Sequence, residues 1–145
     1  MLRVLRVQDP SGLEGQEAFL ERAFASTPFY PPYSEIRPDL EYMAADPHFI
    51  LLLGLYNEET VGLVVASLPR SKMQLLPQVT LFYNEGPRVV AKAMTEAGHT
   101  LLEEAGFKSF WALNLSRADD ALWQRAFSVA GQKPRRLGSL VEFSW

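Results

Sequence analysis

The chain has 145 residues, of which 48% are apolar and 21% charged, and this composition predicts one globular domain over residues 1–145. A formal net charge of −3 gives no positive field to attract nucleic acid, and the longest apolar run, FILLLGLY, is too short to cross a bilayer. The absence of cysteine excludes disulfides, thiol nucleophiles and thiolate metal sites.

The first third of the chain shows one strand pattern and two helical patterns. LRVLRVQ alternates in polarity and predicts a strand, and because this N-terminus lacks the apolar core of a signal peptide we expect a cytoplasmic protein. SGLEGQEAFLERAFAST predicts a helix with Ser11 as its N-cap and an apolar face formed by Leu13, Leu20, Phe24 and Thr27. The proline-rich PFYPPYSEIRP predicts a loop, and DLEYMAA predicts a short helix after it.

A hairpin, a strand and a long helix follow. HFILLLGLYNEETVGLVVASL holds two apolar segments around NEET and predicts a β-hairpin. MQLLPQVTLFY predicts a third strand, in which Pro77 marks a bulge, a splay or an edge because proline cannot donate to a ladder. A long helix is predicted from about Pro87 to Glu104, capped by Gly106, with an apolar face formed by Val90, Met94, Ala97 and Leu101.

The C-terminal part completes a mixed α/β fold. FKSFWALNL predicts a strand, ADDALWQRAFSVA a helix and RLGSLVEFSW a last strand, with the basic KPRR between them as a solvated turn. The fold class is therefore α/β, with a mixed sheet of about six strands and helices on both faces. The strand after the long helix should lie parallel to the strand before it, through a right-handed crossover.

This order of elements resembles the GNAT superfamily of acetyl-CoA-dependent N-acetyltransferases, most strongly from about Asp46 to Trp145. The hairpin, with its acidic tip and VG, looks like the family's second and third strands, and the family pattern fits from Leu81 to Leu113 without a gap. ALWQRAFSVAG looks like the family's last helix. The resemblance implies a GNAT-like fold, acetyl-CoA as the cofactor, and direct attack of an amine on its thioester.

In the family, a Q/R-x-x-G-x-G/A loop holds the diphosphate of acetyl-CoA, and an extended pantetheine arm pairs with the strand before that loop. Here the loop begins at Gly86, and only Ala91 conforms, since Val89 replaces the first glycine and Pro87 lacks an N–H donor. We therefore expect weak acetyl-CoA binding, or alternatively an ordinary helix N-terminus. The resemblance implies these cofactor-binding positions: Val79, Leu81, Gly86, Arg88, Val89, Val90, Ala91 and Asn114.

The family's acid and base positions also depart from its pattern. The tyrosine that protonates the leaving thiolate corresponds to Phe127, which has no proton to give and can equally be a core aromatic. The family base is often a glutamate on the strand before the loop, where this chain has no carboxylate. Glu85, just past the strand, is the nearest candidate, and the alternative is an acid favoured by the helix dipole.

The segment before the hairpin holds the candidate acceptor residues Tyr30, Tyr33, Glu35 and Tyr42. In the family this region lines the acceptor side of the cleft, and aromatic and acidic side chains there suit a cationic amine. The alternative is a proline-stiffened lid packed on the sheet edge. We expect no metal site, because the two histidines do not have the spacing of metal ligands.

Two classes of function remain. Departures at all three functional positions favour a GNAT-like domain with a degenerate motif, weakly active or non-catalytic. Such a domain would serve as an interaction module for an unknown protein partner, and it resembles phage-like proteins with virion or host-interaction roles at the level of fold. The alternative is an active N-acetyltransferase acting on a small amine. In either case we expect a monomer or a homodimer that contacts neither nucleic acid nor membrane.

Overall fold

The computed structural model describes residues 1–26, 30–70, 76–113, 133–137 and 140–144. Within these ranges no helix is both long enough and apolar enough to span a membrane. The elements in chain order are β1 (Leu2–Arg6), α1 (Glu17–Ala25), α2 (Tyr33–Ala45), β2 (Phe49–Tyr56), β3 (Glu59–Ser67), β4 (Gln78–Asn84), α3 (Arg88–Glu104), β5 (Ser109–Leu113), β6 (Lys133–Leu137) and β7 (Leu140–Ser144).

The strands form one mixed sheet in the order β1-β2-β3-β4-β5-β7-β6. The first four strands are an antiparallel meander, and β5 pairs in parallel with β4 after the chain has crossed over through α3. The predicted parallel neighbours are therefore confirmed, and so is the mixed α/β class. The described part of the sheet has seven strands, one more than expected.

Helices cover both faces of the sheet, as predicted. Alternate side chains of a strand point to opposite faces, so in β2 Leu52 packs in the cluster beneath α3, while Leu51 and Leu53 pack in the cluster beneath α1 and α2. The sheet thus has an apolar core on each of its two faces, and each core lies between the sheet and a layer of helices.

A pair of glycines lets α3 approach the β2–β3 hairpin closely. Gly54 and Gly62 lie opposite each other in the register of the two strands. A Cβ built on Gly54 would lie 2.6 Å from Cγ1 of Val90, and one built on Gly62 would lie 2.6 Å from Cε of Met94. Since real Cβ atoms almost never approach this closely, the branched Val90 side chain requires the lack of a side chain at Gly54, and the Met94 side chain fills the space that Gly62 leaves.

The N-terminal helices differ from the predicted ones. The single predicted helix is a short 3-10 turn, Pro10–Leu13, followed by α1, and Gly15 separates them with a φ of 77°. Asp9, not Ser11, caps the 3-10 turn, because its carboxylate accepts the N–H of Ser11 at 2.9 Å. Predicted face residue Thr27 lies outside the described residues.

The predicted loop PFYPPYSEIRP was wrong in its second half, where α2 already begins at Tyr33. Pro32 supplies the extended residue just before the helix, with a φ of −54°, and Pro38 lies inside the helix. Proline lacks an N–H, so the helix tolerates Pro38 at the loss of one hydrogen bond. The number of prolines predicted a loop. Pro32, however, lies at the N-cap of α2, where a proline removes no hydrogen bond of the helix.

The C-terminal part also differs. The stretch that includes KPRR is strand β6, not a turn, and it pairs antiparallel with β7. An edge strand needs hydrogen-bond donors on one side only, which makes Pro134 acceptable there. The predicted helix over residues 118–130 lies outside the described residues. The strand predicted from MQLLPQVTLFY begins only at Gln78, as β4.

Candidate functional site

An opening between β4 and β5 is the first feature of the candidate site. The two strands pair only at Gln78 with Trp111 and Val79 with Ala112, and beyond Val79 the rest of β4 has no partner in the described part of β5. The pairing of β4 with β3 slips by one residue at Thr80, because Val79 pairs with Ala66 while Leu81 pairs with Val65. The splay expected near Pro77 thus follows directly after Val79, next to a β-bulge.

The two strand residues predicted to bind the cofactor have different surroundings. Val79 is paired with both neighbouring strands, whereas Leu81 is paired with β3 alone among the described residues. The backbone that borders the opening is therefore that of residues 80–84. Both predicted roles stay predictions.

The loop after β4 is closed on itself by Asn84. The Asn84 side-chain oxygen accepts the N–H of Gly86 at 3.0 Å, and its amide nitrogen donates to the carbonyls of Gly86 at 3.2 Å and Pro87 at 3.1 Å. Gly86 also packs tightly, since a Cβ there would lie 2.5 Å from Cγ2 of Val61. Gly86 thus lacks a side chain because it packs closely against Val61 of β3. Its N–H is already hydrogen-bonded to Asn84.

The first turn of α3 leaves little room for a diphosphate. Pro87 has no N–H, and the N–H of Val90 donates to the Pro87 carbonyl at 3.0 Å. In this turn, the N–H groups of Arg88 and Val89 have no hydrogen bond to a described residue. The Val89 side chain stands beside them, 47% exposed, while Val90 is fully buried. The predicted Ala91 packs against the core beneath α3, so it faces away from this surface.

The candidate base Glu85 is held by two other side chains. The Arg22 Nε donates to Oε2 at 3.0 Å and its Nη2 to Oε1 at 2.7 Å, and the Tyr83 hydroxyl donates to Oε2 at 2.7 Å. The Arg22 hydrogen bonds are the largest cause of a lowered pKa of Glu85, with Tyr83 adding to it. A general base works best with a pKa near the operating pH, so Glu85 in this arrangement is a poor one.

Tyr30 connects the acceptor region to the opening. Its hydroxyl donates to the carbonyl of Thr80, the bulge residue, at 2.5 Å. Its ring packs edge-on against Phe24 with centroids 5.6 Å apart, and Phe24 stacks on Tyr33 at 6.0 Å. Burial raises the pKa of Tyr30, which keeps the phenol protonated at neutral pH.

The four predicted acceptor residues do not form one cluster. Tyr30 and Tyr33 line a cavity of about 470 Å³, together with Glu21, which the sequence did not single out. Glu35 is exposed on α2 and is not among the described residues that line this cavity. Tyr42 is 62% exposed and lies about 14 Å along α2 from Tyr33, at 1.5 Å per residue.

Two further predicted positions, Asn114 and Phe127, lie outside the described residues. Among the described residues, no three His, Cys, Asp or Glu side chains converge as metal ligands would. His48 Nδ1 lies 3.1 Å from Asp46, and His99 Nε2 lies 3.1 Å from Glu103.

Comparisons with known proteins bear on the fold. Neither a family model nor a curated protein matches the sequence. Many solved structures do match the fold. A GNAT-family acetyltransferase from Streptococcus pneumoniae gives a TM-score of 0.68 at 16% identity, with all of both chains covered. A probable acetyltransferase from Staphylococcus epidermidis gives 0.70 at 10% identity, covering 99% of this chain and 96% of that one. PaiA N-acetyltransferase from Thermoplasma acidophilum, in complex with coenzyme A, gives 0.66 at 12%, covering 100% of this chain and 99% of that one.

The chain therefore has the GNAT fold, the fold of the acetyl-CoA-dependent N-acetyltransferases, as its sequence predicted. Its residues fit acetyl-CoA only in part. Within the described residues, β4 pairs with β5 only at Gln78 and Val79, and the opening beyond them is the place where an extended arm such as pantetheine would lie. The loop does not fit a diphosphate, because Asn84 occupies one N–H donor, Pro87 removes another and Val89 crowds the two that remain.

Proposed function

We propose that this protein is a GNAT-like domain that binds acetyl-CoA weakly, transfers acetyl groups slowly or not at all, and acts mainly by binding a protein partner. The observation that carries the proposal is the loop after β4, whose Gly86 N–H is already bonded to Asn84. A diphosphate at this helix N-terminus would have to displace that side chain before it could use the Gly86 donor.

The state of Glu85 supports the same proposal. A carboxylate with both oxygens hydrogen-bonded and a lowered pKa has little tendency to take a proton from an amine. Removing Arg22 or turning it away would be needed first. The site thus lacks a ready base and a ready diphosphate cradle, although its fold is retained.

The proposal is tested by calorimetric titration with two ligands, acetyl-CoA and acetyl-pantetheine, which lacks the nucleotide and its diphosphate. We expect both to bind at best in the high-micromolar range, on the order of −5 to −6 kcal/mol. Their affinities should be similar, because the loop adds little. Low-micromolar binding of acetyl-CoA, with much weaker binding of acetyl-pantetheine, would show a working cradle and overturn the proposal.

A second candidate function is active N-acetyl transfer to an amine. The observation that favours it is the Tyr30 hydroxyl, which lies on the Thr80 carbonyl at the opening and also borders the cavity beside α1 and α2. In this reading the cavity holds the acceptor and the opening holds the donor. Acetyl-CoA-dependent turnover with a panel of amines would distinguish it from the first.

A further inference from the structure

The outer edge of β1 carries a row of unpaired backbone groups. β1 lies at one end of the sheet and pairs with β2 alone among the described strands. The N–H of Val7, just past the strand, donates to the carbonyl of Leu51 at 2.8 Å. Because successive residues of an antiparallel strand direct their backbone groups to opposite sides, the odd-numbered residues face β2. The residues whose N–H and C=O groups point outward, with no hydrogen bond to a described residue, are Leu2, Val4 and Arg6.

The side chains at this edge include exposed apolar surface. Among the described residues, four large apolar side chains are exposed, and two of them, Met1 and Leu5, lie here. Arg3 lies on the same face of β1 as Leu5, and its contact with Glu58 is 3.8 Å long between two exposed side chains. An exposed ion pair of this kind contributes little to stability, so the aliphatic part of Arg3 is available to cover an apolar neighbour.

We propose that β1 pairs with β1 of a second copy of this chain, antiparallel about a two-fold axis at Val4. Val4 then lies opposite Val4 of the second copy and Leu2 opposite Arg6, and each of these pairs exchanges two backbone hydrogen bonds. Arg3 lies opposite Leu5 of the second copy, on the face that carries α1 and α2, and the arginine covers the exposed leucine. One continuous sheet then runs through both copies.

The two arginines of β1 select this register. An axis at Arg3 would place that residue opposite itself, in a pair without hydrogen bonds whose Cα atoms are about 4.5 Å apart, where like charges destabilise the sheet. An axis at Leu5 would leave Leu2 without a partner inside β1, so fewer backbone hydrogen bonds would form. Charges commonly prevent sheet edges from pairing, but here they leave one pairing open.

The proposed contact is small and lies far from the candidate site. Five residues at about 3.4 Å each give a contact about 17 Å long. Contacts of this size are typical of weak interfaces, so we expect a dissociation constant on the order of 10–100 μM. β2 and β3 separate β1 from the opening beside β4. Self-association therefore goes beyond the proposed function, and either proposal can fail while the other holds.

The test is sedimentation equilibrium of the full chain at concentrations from about 1 μM to 1 mM, where we expect a monomer–dimer equilibrium. Leu5→Lys places a cation opposite Arg3 at two symmetric points, so it should raise the dissociation constant roughly tenfold or more. Leu5→Glu removes the same apolar side chain but places an anion there, and it should dimerise roughly tenfold or more tightly than Leu5→Lys. Asp39→Asn, at an exposed site on α2, changes the net charge as Leu5→Lys does and should leave the dissociation constant unchanged.

Val4→Pro tests the backbone pairing directly. It removes the outward N–H at the proposed axis but no hydrogen bond between β1 and β2, so the fold should persist by circular dichroism while the dimer is lost. A chain that is monomeric at every concentration, a dimer that Val4→Pro leaves unchanged, or equal dissociation constants for Leu5→Lys and Leu5→Glu would each overturn the pairing. If Val4→Pro does not fold, the two variants at the exposed Leu5 decide the question.

Discussion

Arg22 on α1 holds both carboxylate oxygens of Glu85, at 3.0 and 2.7 Å, and so ties the first helix to the loop that begins after β4. The two residues are 63 positions apart in the chain. Their pairing keeps the candidate base ionised and engaged, and it fixes the loop from the α1 side of the sheet.

The pH dependence of stability should reveal this pair. The folded-state pKa of Glu85 lies below its ordinary value of about 4.3. The pair therefore stabilises the fold at pH values above that ordinary value, and this contribution is lost as the pH falls through the lowered pKa. We expect Glu85→Gln to be less stable than the parent at pH 7 in urea unfolding, with the difference closing in acid. Glu104→Gln is the matched control, and a difference that persisted unchanged in acid would contradict the assignment.

The Asn84 hydrogen bonds should matter for both stability and anion binding. Asn84→Ala removes all three, and since one hydrogen bond contributes about 0.5–1.5 kcal/mol net and the loop is partly exposed to solvent, we expect a loss near the lower end of their sum, about 1.5–2 kcal/mol. It also frees the Gly86 N–H, so acetyl-CoA should bind several-fold more tightly. Asn84→Asp keeps the oxygen that accepts the Gly86 N–H but loses the two hydrogen bonds that the amide donates. Its stability should therefore lie between those of the parent and Asn84→Ala, and its affinity for acetyl-CoA should not rise. Identical acetyl-CoA titrations for all three proteins would show that Asn84 does not limit binding.

Gly86 should tolerate no side chain. An added Cβ would lie 2.5 Å from Val61 Cγ2, and overpacking of this kind costs about 1–3 kcal/mol. Combining Gly86→Ala with Val61→Ala should recover part of the loss, because the contact with Cγ2 is removed and only the one with Val61 Cβ, at 2.9 Å, remains. Gly98→Ala is the control: its nearest neighbour would be Leu52 Cδ1 at 3.8 Å, and alanine is favoured over glycine within a helix by roughly 0.5–1 kcal/mol. Urea midpoints of the three variants and the parent decide the matter, and a Gly86→Ala variant as stable as the parent would refute the packing role.

Phe127→Tyr separates the two candidate functions. If the enzyme merely lacks its acid, a hydroxyl there should raise acetylation of a polyamine or peptide amine by up to ~10²-fold. If the loop limits the reaction, as we propose, Phe127→Tyr alone should do nothing. It should then cost roughly 1–3 kcal/mol if the hydroxyl is buried without a partner.

If the loop limits the reaction, cofactor-dependent activity should appear only in the double variant that combines Phe127→Tyr with Val89→Gly. Val89 is 47% exposed in the first turn of α3, so replacing it removes little packing. A clear rise in turnover from Phe127→Tyr alone would refute the proposed weak activity. No activity from either variant, with the fold intact, would leave partner binding as the function to test.

Most of the sheet and α3 were predictable because their signals are local. Pro87 and Gly106 stand at the two ends of the long helix, and the structure has α3 from Arg88 to Glu104. The hairpin followed from two apolar runs around NEET, and its turn residues Asn57 and Glu58 both have positive φ. The pattern failed for α2, where proline content outweighed the position of each proline.

For the candidate site, the sequence predicted a location, whose role stays a prediction, but it did not predict the contacts there. Resemblance drew attention to the loop after β4, and the Asn-x-Gly of residues 84–86 was a readable sign of a side chain bonding its own backbone. The Arg22 clamp on Glu85 and the Tyr30 bond to Thr80 join residues distant in sequence. Such pairs depend on how the helices pack on the sheet, and local sequence patterns do not determine that packing.

The facing glycines of the hairpin have a consequence for how the loop can change. The height of α3 above the sheet depends on Gly54 and Gly62, and the first turn of α3 carries the N–H groups of Arg88 and Val89, which have no partner among the described residues. A methyl group at Gly54 would lie 2.6 Å from Cγ1 of Val90 and would push the first turn of α3 away from the sheet, whereas one at Gly62 would meet the end of the Met94 side chain, which can move aside. The position of this turn thus depends on two glycines that lie outside the loop, and one of them, Gly62 on β3, is the register partner of Asn84, which closes the loop.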